Sequence, residues 1–369
     1  MSLTANLKEY ALSLGYASIG ILPVEDFSFY IQEVASRGDS CAWISQTPVK
    51  DNPVLCARIR EQMPEAKSII VLLLDYIQKS MHQSLKTIIG TFYLSRCFQP
   101  LPESLNGQRL ALFIDFLQSQ GIYVRKDLGI PARAAAAKAG LAAIGKSTFA
   151  YAPGIGSSVV IYTLAIDKEL EYSTPIALQD ECLENCGQCQ QACPTGALYA
   201  PYKVDSRKCV SYLNFVAMRD IPRSLRSKIG QRIHGCNVCQ DVCPRNQEKQ
   251  KQTLPEDEYL INIAGDINPA NILEMRPGYY ETRLRPILYN YVSKHRIFQR
   301  NAAIAIGNSQ NRDYVPALEK ALSNPEPIVR EYVVWALAQI GGSKAKQLLD
   351  KLYTMETDNR VREEIAASS

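Results

Sequence analysis

Short apolar stretches with two different periods alternate over the first part of the chain. TANLKEYALSLG has apolar positions at helical spacing, which predicts a helix that stops at Gly15, and ASIGIL predicts a strand that ends at Pro23. The continuous apolar run in AKSIIVLLLDY predicts a buried strand, and SSVVIYTLAID predicts a strand rich in β-branched residues. QRLALFIDFLQSQ predicts an amphipathic helix, and Pro131 begins an alanine-rich helix that ends near Gly140. We therefore expect a layered α/β domain over residues 1–170.

The character of the chain changes twice after this domain. Residues 171–255 are rich in cysteine, proline and polar residues, so we expect bound metal to hold this segment together. Over residues 265–369, HRIFQRNAAIAIGN aligns with VREYVVWALAQIGG at a period of 34 residues. This period predicts a short α-solenoid of the HEAT type, and an ordinary helical bundle is the alternative. The predicted fold class is α+β and multidomain, with an α/β core, a ferredoxin-like segment and a helical-repeat tail.

Composition narrows the possible classes of protein. The formal net charge of +4 is too small to demand or exclude nucleic acid as a partner. No run of eighteen apolar residues occurs, and the start of the chain lacks the basic-then-apolar order of a signal peptide, which predicts a cytoplasmic protein without membrane contact. Eleven cysteines in such a chain favour metal or redox chemistry over a disulfide scaffold.

Eight of the eleven cysteines fall into two groups. Both groups end in C-x2-C-x3-C-P, the spacing of two-cluster ferredoxins, in which the cysteine before proline binds the other cluster. By this rule the spacing predicts two 4Fe-4S clusters. The first is expected on Cys182, Cys186, Cys189 and Cys243, and the second on Cys193, Cys209, Cys236 and Cys239.

Two features depart from the ferredoxin spacing. Cys182 stands one residue further out than usual, and Cys209 is isolated in SRKCVSYL. A pair of zinc sites is the alternative, because zinc also favours four thiolates and C-x2-C spacing. The two Cys-Pro endings favour iron–sulfur clusters. Cys41 and Cys56 lie outside both groups, and we expect them to be small buried apolar residues.

A pair of cubane clusters moves single electrons, so the chain must contain or meet an electron acceptor. The sequence has neither a G-x-G-x-x-G after a strand nor a G-x-x-x-x-G-K-[ST], and its three histidines are dispersed. CGQCQQACPTGAL, YKVDSRKCVSYL and IGQRIHGCNVCQDVCPRN closely resemble the iron–sulfur region of the epoxyqueuosine reductases. These are cobalamin-dependent enzymes of queuosine synthesis on tRNA, similar in turn to reductive dehalogenases. The order of a nitroreductase-like corrinoid domain, a two-cluster segment and a HEAT-like tail also resembles this family.

The resemblance implies particular site residues. KDLGIPARAAAAKAGLAAIGKS is similar to a family stretch that makes Asp127 the candidate proton donor, although one residue is inserted before Pro131. An Asp-Tyr-His stretch of the family is absent after LSRCFQPLPESLN, which bears on the substrate more than on the cofactor. For each implied serine contact, a turn or capping role is the alternative. The cobalamin contacts implied by the resemblance are Ser95, Arg96, Cys97, Ser157 and Ser211.

The resemblance also implies a reaction and its partners. The family's reaction removes the epoxide oxygen as water, with two electrons and two protons, and needs a low-potential donor such as ferredoxin or flavodoxin. Burial against the corrin is expected to raise the pKa of Asp127 towards neutrality. A monomer that binds the anticodon region of tRNA is expected. The basic tail residues expected to contact phosphate, or else to form a solvated face, are Arg283, Arg285, Lys294, Arg296 and Arg300.

Two other functions are compatible with the sequence. The missing Asp-Tyr-His stretch leaves room for a related corrinoid reductase that acts on another substrate, in the manner of the reductive dehalogenases. A ferredoxin-like electron carrier, whose helical repeats bind a protein partner, is the second alternative.

Overall fold

The computed structural model describes residues 2–38, 53–98, 100–174, 182–215, 220–288 and 294–368. The predicted burial of Cys41 therefore lies outside the described residues, whereas Cys56 is buried as expected. The strands are β1 (Ser18–Pro23), β2 (Ser68–Asp75), β3 (Val124–Arg125), β4 (Ala143–Ile144), β5 (Ala150–Tyr151) and β6 (Val159–Ile166). No helix in the described ranges is long and apolar enough to cross a bilayer.

The helices of these ranges are mostly short, and the longer ones lie at the start of the chain, before β3 and in the last quarter. In chain order they are α1 (Leu3–Ser13), α2 (Ser28–Ser36), α3 (Pro53–Cys56), α4 (Ile59–Gln62), α5 (Gln83–Ile88), α6 (Thr91–Leu94), α7 (Leu105–Ser119), α8 (Ala132–Lys138), α9 (Gln188–Gln191), α10 (Val210–Phe215), α11 (Arg223–Arg226), α12 (Val238–Asp241), α13 (Gln247–Gln250), α14 (Glu258–Ile263), α15 (Pro269–Glu274), α16 (Arg285–Leu288), α17 (His295–Ser309), α18 (Val315–Ala321), α19 (Pro327–Ile340), α20 (Ser343–Met355) and α21 (Asn359–Ser368).

The chain forms two compact units, each built from several segments. Unit 1 comprises Met1–Gln78, Cys97–Ser206 and Val238–Gln252, and unit 2 comprises Lys79–Arg96, Arg207–Asn237 and Thr253–Ser369. The cysteine-rich segment predicted as one domain over residues 171–255 is thus divided between the two units. The predicted segments 1–170, 171–255 and 265–369 therefore follow changes in sequence character along the chain and do not coincide with these two units.

The core of unit 1 is a four-stranded antiparallel sheet in the order β1-β2-β6-β3. Its register pairs Leu72 of β2 with Ile19 of β1 and with Tyr162 of β6. Every residue of β2 from Ser68 to Leu74 is buried, which explains its unbroken apolar run. The buried strand predicted from AKSIIVLLLDY and the strand predicted from SSVVIYTLAID are confirmed as β2 and β6, which are neighbours in the sheet.

Helix α8 packs on the sheet of unit 1 through small side chains. Ala135 and Ala136 are buried, and α8 contacts β1, β2 and β6. A Cβ atom on Gly20 of β1 would lie 2.8 Å from the Cβ of Ala139, so only glycine leaves room for the chain at the end of this helix. The alanine-rich sequence therefore permits a close approach that larger side chains would prevent.

A short hairpin follows α8 in unit 1. β4 pairs antiparallel with β5, with Ala143 opposite Tyr151 and Ile144 opposite Ala150. The backbone N–H of Gly145 donates to the carbonyl of Phe149 at 2.9 Å and closes the turn. Strands of two residues have no periodicity, so the sequence did not predict this hairpin.

Unit 2 is helical, and its last helices carry the repeat seen in the sequence. α17 and α19 pack side by side, and α19 packs in turn on α21. A Cβ on Gly307 of α17 would lie 2.9 Å from the Cα of Ala336, so this glycine allows the two helices to approach closely. The next equivalent glycine, Gly341, has φ +64° and ends α19.

A buried ion-pair network joins two segments of unit 2. The guanidinium of Arg226 donates to Glu331 at 2.8 Å and pairs with Glu364 at 2.9 Å. All three side chains are at most 8% exposed, and Arg226 also stacks over the ring of Tyr332 at 4.1 Å. Removing one partner would leave a buried charge uncompensated, so the network holds the segment before α12 against the helical tail.

Candidate iron–sulfur site

The four thiols predicted to hold the first cluster all lie in unit 1. Burial raises the pKa of Cys189, and electrostatic interactions with Cys243, Cys182 and Cys186 raise it further. These three thiols are the ones that the cysteine spacing assigns to a cluster with Cys189. The structure therefore brings Cys189 within electrostatic range of each of the other three assigned thiols. None of the cysteines in the described ranges forms a disulfide.

Two short helices carry the C-x2-C stretches. α9 contains Cys189, α12 contains Cys239, and the two helices pack against each other. Cys243 has extended backbone angles, φ −77° and ψ 123°, as expected for a residue that precedes a proline. Pro244 then begins a 3₁₀ turn over Pro244–Asn246, so a new turn of helix starts directly after the last thiol.

The β4–β5 hairpin donates two hydrogen bonds to cysteine sulfurs. The phenol of Tyr151 donates to the Sγ of Cys243 at 3.3 Å, and the backbone N–H of Lys146 donates to the Sγ of Cys182 at 3.5 Å. The hydroxyl of Ser147 lies 3.0 Å from the Tyr151 oxygen, so it is placed to donate to the phenol. Burial raises the pKa of Tyr151, which keeps the phenol protonated at neutral pH.

Gly145 and Arg245 fix the position of the Tyr151 ring. A Cβ on Gly145 would lie 2.6 Å from the ring and 3.4 Å from the Sγ of Cys182, so a larger residue would displace one of them. The guanidinium of Arg245 stacks over the ring at 4.2 Å from its centroid, in cation–π geometry. The tyrosine is 1% exposed.

The four thiols predicted to hold the second cluster are distributed over both units. In unit 1, the Sγ of Cys193 lies 3.8 Å from the hydroxyl of Thr195. In unit 2, the backbone carbonyl of Cys209 accepts from Leu213 at 2.9 Å, so Cys209 immediately precedes α10. A Cβ on Gly90 would lie 3.1 Å from the backbone nitrogen of Cys236. Each of these three contacts lies within a single unit.

Two carbonyls near Cys209 and Cys236 are bound by one side chain of α17. The amide of Asn301 donates to the carbonyls of Asn214 and Ile233, both at 2.8 Å. Asn301 is 1% exposed, so these bonds replace water for both carbonyls. The helical tail thus positions the two stretches of unit 2 that carry predicted cluster ligands.

The described residues contain no group of three or more histidine, cysteine, aspartate or glutamate side chains spaced to hold a single metal ion. The four thiols assigned to the first cluster are therefore spaced more widely than the ligands of a single metal ion.

Asp127 differs from the expectation. Its carboxylate accepts two hydrogen bonds from Arg125, at 2.6 and 2.9 Å, and its side chain is 67% exposed. These bonds lower the pKa of Asp127 below the ordinary aspartate value. In this structure Asp127 is thus an exposed carboxylate at neutral pH, which differs from the burial and raised pKa that the resemblance implied for the corrin-bound site.

The cobalamin contacts implied in unit 1 are engaged within the protein. The Ser157 hydroxyl accepts from the amides of Asn246 at 2.8 Å and Gln240 at 3.0 Å, and the serine is 2% exposed. Cys97 is 4% exposed and its sulfur accepts from Asn106 at 3.1 Å. These side chains do not present their polar atoms to a macrocycle.

The implied contacts in unit 2 are placed similarly. Ser95 donates to the carbonyl of Phe92 at 2.6 Å, and Arg96 forms an ion pair with Asp257. Ser211 is half-buried on α10. The hydroxyl of Ser95 and the guanidinium of Arg96 thus both have partners in the protein.

The five basic tail residues are not equivalent. Arg300 is fully buried, its guanidinium donates to a backbone carbonyl at 2.8 Å, and burial lowers its pKa to about 10. Its expected contact with phosphate is therefore wrong for this arrangement. Arg283 pairs with Asp266 at 2.7 Å, and Arg296 lies 3.7 Å from Glu326. Arg285 and Lys294 are exposed.

The sequence did not predict the residues that lie around the thiols assigned to the first cluster. Tyr151, Ser147 and Arg245 have no characteristic spacing, and Tyr151 lies 92 positions before the cysteine that it contacts. The Gly-Lys pair at Gly145 was the one available signal, since a glycine at such a point often marks a close backbone approach.

Two family models match this chain. Residues 181–246 match the model described as a 4Fe-4S double cluster binding domain, and residues 284–369 match HEAT repeats. The chain is therefore a multidomain iron–sulfur protein of mixed α and β structure, and the predicted HEAT-type tail is confirmed.

Curated relatives are similar over almost the whole length. The chain is 28% identical over 373 residues to the epoxyqueuosine reductase of Bacillus subtilis, with 98% of this chain and 94% of the relative covered. It is 26% identical to the enzyme of Escherichia coli, with 91% and 89% covered. A third relative of this name, from Yersinia pestis, is 31% identical over 59% of this chain and 52% of its own length.

Solved structures agree with these relatives. A structure of the Bacillus subtilis enzyme, with its catalytic aspartate loop swung out of the active site, covers 99% of this chain and 98% of its own at 26% identity and a TM-score of 0.82. An epoxyqueuosine reductase with an epoxyqueuosine-modified tRNA stem loop has the same TM-score at 25% identity, with 99% and 97% covered. The resemblance of the sequence to the epoxyqueuosine reductases is confirmed, and the chain is a homologue of these oxidoreductases.

Proposed function

We propose that this protein reduces epoxyqueuosine to queuosine in tRNA. The observation that carries the proposal is the full-length similarity to epoxyqueuosine reductases, one of which was solved with an epoxyqueuosine-modified tRNA stem loop. The cysteine arrangement is consistent with this chemistry, because a reduction needs a route for electrons. We infer a cytoplasmic monomer.

We propose two 4Fe-4S clusters as the electron route. Cys182, Cys186, Cys189 and Cys243 are assigned to the first, and the electrostatic grouping around Cys189 supports this set. The second set, assigned from spacing alone, is Cys193, Cys209, Cys236 and Cys239. Four thiolates per cluster suit the donor preference of iron–sulfur centres.

The electrons of the reaction balance with this cofactor set. Opening the epoxide to the alkene and releasing its oxygen as water takes two electrons and two protons. Each cluster carries one electron at a time, so two transfers are needed from an external low-potential donor of the ferredoxin or flavodoxin class. Cobalamin, proposed on the resemblance alone, would supply a low-potential cobalt centre. Of the side chains implied as its contacts, Ser157 and Cys97 are buried and Ser95 and Arg96 have partners within the protein, so these four do not fit this role as placed.

We propose Asp127 as the proton donor after a change in its surroundings. Paired with exposed Arg125, it is a carboxylate, and it must leave that partner and enter a less polar site to hold a proton at neutral pH. The relative solved with its catalytic aspartate loop swung out of the active site supports such a movement. The resting position of Asp127 then corresponds to an open loop.

We propose that the exposed basic residues of the tail contact the tRNA anticodon arm. Arg285 and Lys294 are exposed, whereas Arg300 is excluded because it is buried. Lysine and arginine at phosphates supply affinity without sequence recognition. The linear segments 1–170, 171–255 and 265–369 remain our proposal for the corrinoid, two-cluster and HEAT-like parts of the sequence.

The decisive experiment supplies the reconstituted protein with cobalamin, a chemical reductant and an epoxyqueuosine-containing tRNA stem loop. We expect queuosine as the product, detected by mass spectrometry of the digested RNA. Small epoxides and aryl halides serve as parallel substrates. Turnover of these compounds without turnover of the stem loop would favour another corrinoid reductase, and absence of corrinoid binding would favour an electron carrier.

A further inference from the structure

The β4–β5 hairpin lies beside the thiols assigned to the first cluster and is not part of either cysteine stretch. It donates to two sulfurs of this group: the N–H of Lys146 to Cys182 and the phenol of Tyr151 to Cys243. Cys182 is the first thiol of the group along the chain and Cys243 is the last. A single short turn therefore contacts both ends of the proposed ligand set.

Hydrogen bonds to cluster sulfurs act on the reduction potential. A cluster with four thiolates gains one electron and one further negative charge on reduction, so a donor at a sulfur stabilises the reduced form more than the oxidised form. Tyr151 is almost fully buried, where water does not weaken the bond. Ser147 lies 3.0 Å from the phenol oxygen and, as the donor, strengthens the O–H of Tyr151 as a donor in turn.

Two further contacts show that the ring is held in place and not merely packed. The missing Cβ of Gly145 leaves the space that the ring occupies, 2.6 Å from where that atom would lie. Arg245 brings its positive charge to 4.2 Å from the ring centroid. The ring is thus held by close packing against Gly145 and by a stacked cation, while its hydroxyl donates to Cys243.

We propose that Tyr151 is a positioning residue that raises the reduction potential of the first cluster through its O–H···S bond to Cys243. The electron itself comes from the external low-potential donor and reduces the cluster by one electron. No proton is transferred from the phenol. The inference rests on the proposed cluster, and it is independent of the substrate.

The test is an anaerobic redox titration, followed by EPR, of the full chain carrying its clusters. Tyr151→Phe keeps the ring and removes the donor. We expect the one-electron equilibrium constant of the first cluster to change by three- to tenfold, a shift of about 28 to 59 mV to lower potential. A Cys209→Ala background, which is expected to retain the first cluster alone, identifies the signal.

Tyr162→Phe is the matched control. It removes the same atom from another tyrosine of unit 1, whose hydroxyl donates to a backbone carbonyl and not to a sulfur. We expect its cluster potential to equal that of the wild type. An unchanged potential in Tyr151→Phe, or an equal shift in Tyr162→Phe, would overturn the proposal.

A second variant decides the question if Tyr151→Phe loses iron. Ser147→Ala leaves the phenol in place and removes its neighbouring hydroxyl, so a smaller shift in the same direction is expected. An unchanged potential there, with full iron content, would overturn the proposal. Failure of the tRNA reaction would leave these potentials measurable, so the proposed substrate and this inference fail separately.

Discussion

Arg125 holds Asp127 through two N–H···O bonds, 2.6 and 2.9 Å long, at the surface of unit 1. The proposed proton donor is thus stabilised in its charged form, which cannot donate a proton. The ion pair and the proposed role are compatible if the loop that carries Asp127 has two positions, one in the resting protein and another during the reaction.

Asp127→Asn tests this role. The change keeps the shape of the side chain and removes the acid, so turnover of the stem loop should fall about a hundredfold, while iron content and corrinoid binding stay unchanged. Single-turnover kinetics measure the effect. Arg125→Gln is the companion variant: it removes only the partner and should retain turnover within a few-fold. Near-normal turnover in Asp127→Asn would contradict the assignment.

Iron analysis tests the cluster assignments. We expect about eight irons per chain in the reconstituted protein, and about four in Cys209→Ala, because Cys209 is assigned to the second cluster alone. Cys56→Ala is the control, since Cys56 is a buried cysteine outside both sets. Stoichiometric zinc in place of iron, or full iron content in Cys209→Ala, would show that the assignment is wrong.

Salt dependence tests the contact between the tail and tRNA. Arg285→Glu and Lys294→Glu should each weaken binding and reduce the slope of log affinity against log salt by about one or more, since each lost phosphate contact releases fewer counterions. Fluorescence anisotropy with a labelled anticodon stem loop measures both quantities. Lys351→Glu, an exposed lysine on another helix, is the charge-matched control. Equal losses in all three variants would indicate a general charge effect.

Asn301→Ala tests the support that the tail gives to unit 2. The change leaves two buried carbonyls, of Asn214 and Ile233, without their donor and removes the oxygen that accepts from buried Arg300, so we expect a loss of about 2–3 kcal/mol in the free energy of unfolding. Gln299→Ala is the control on the same helix: it removes one amide bond, to Leu273, at 2.9 Å. Urea unfolding compares them. An equal or smaller loss in Asn301→Ala would contradict the positioning role.

The Arg330–Glu356 pair predicts a dependence of stability on pH. Two bonds of 2.8 Å from Arg330 lower the pKa of Glu356, whose side chain is 4% exposed. Because the folded pKa lies below the unfolded value of about 4.3, the stabilisation is present above that pH and is lost as pH falls through the folded value.

Glu356→Gln should therefore cost about 1–3 kcal/mol at pH 7 and much less near the depressed pKa. Urea midpoints at pH 7 and at successively lower pH values measure the difference from the wild type. Glu248→Gln, which alters a pair with a 90% exposed glutamate, should change little at any pH. A cost for Glu356→Gln that stays constant with pH would contradict the ion-pair explanation.

The sequence by itself determined the elements and chemistry that depend on local spacing. The apolar runs predicted β2 and β6, the period of 34 residues predicted α17 and α19, and the cysteine spacing predicted the segment that matches a 4Fe-4S double cluster binding domain. These features are readable because secondary structure and cluster ligation both repeat over short distances along the chain.

Only the tertiary structure decided which distant side chains meet. Tyr151 donates to Cys243, which lies 92 positions further along the chain. Arg300 is a basic residue of the kind that binds phosphate, but it is buried against α10. Asp127 meets Arg125 in an exposed pair that lowers its pKa, where the resemblance implied burial. Burial and partnership determine the charge state and reach of a side chain, and both are set by packing between segments, which no local pattern encodes.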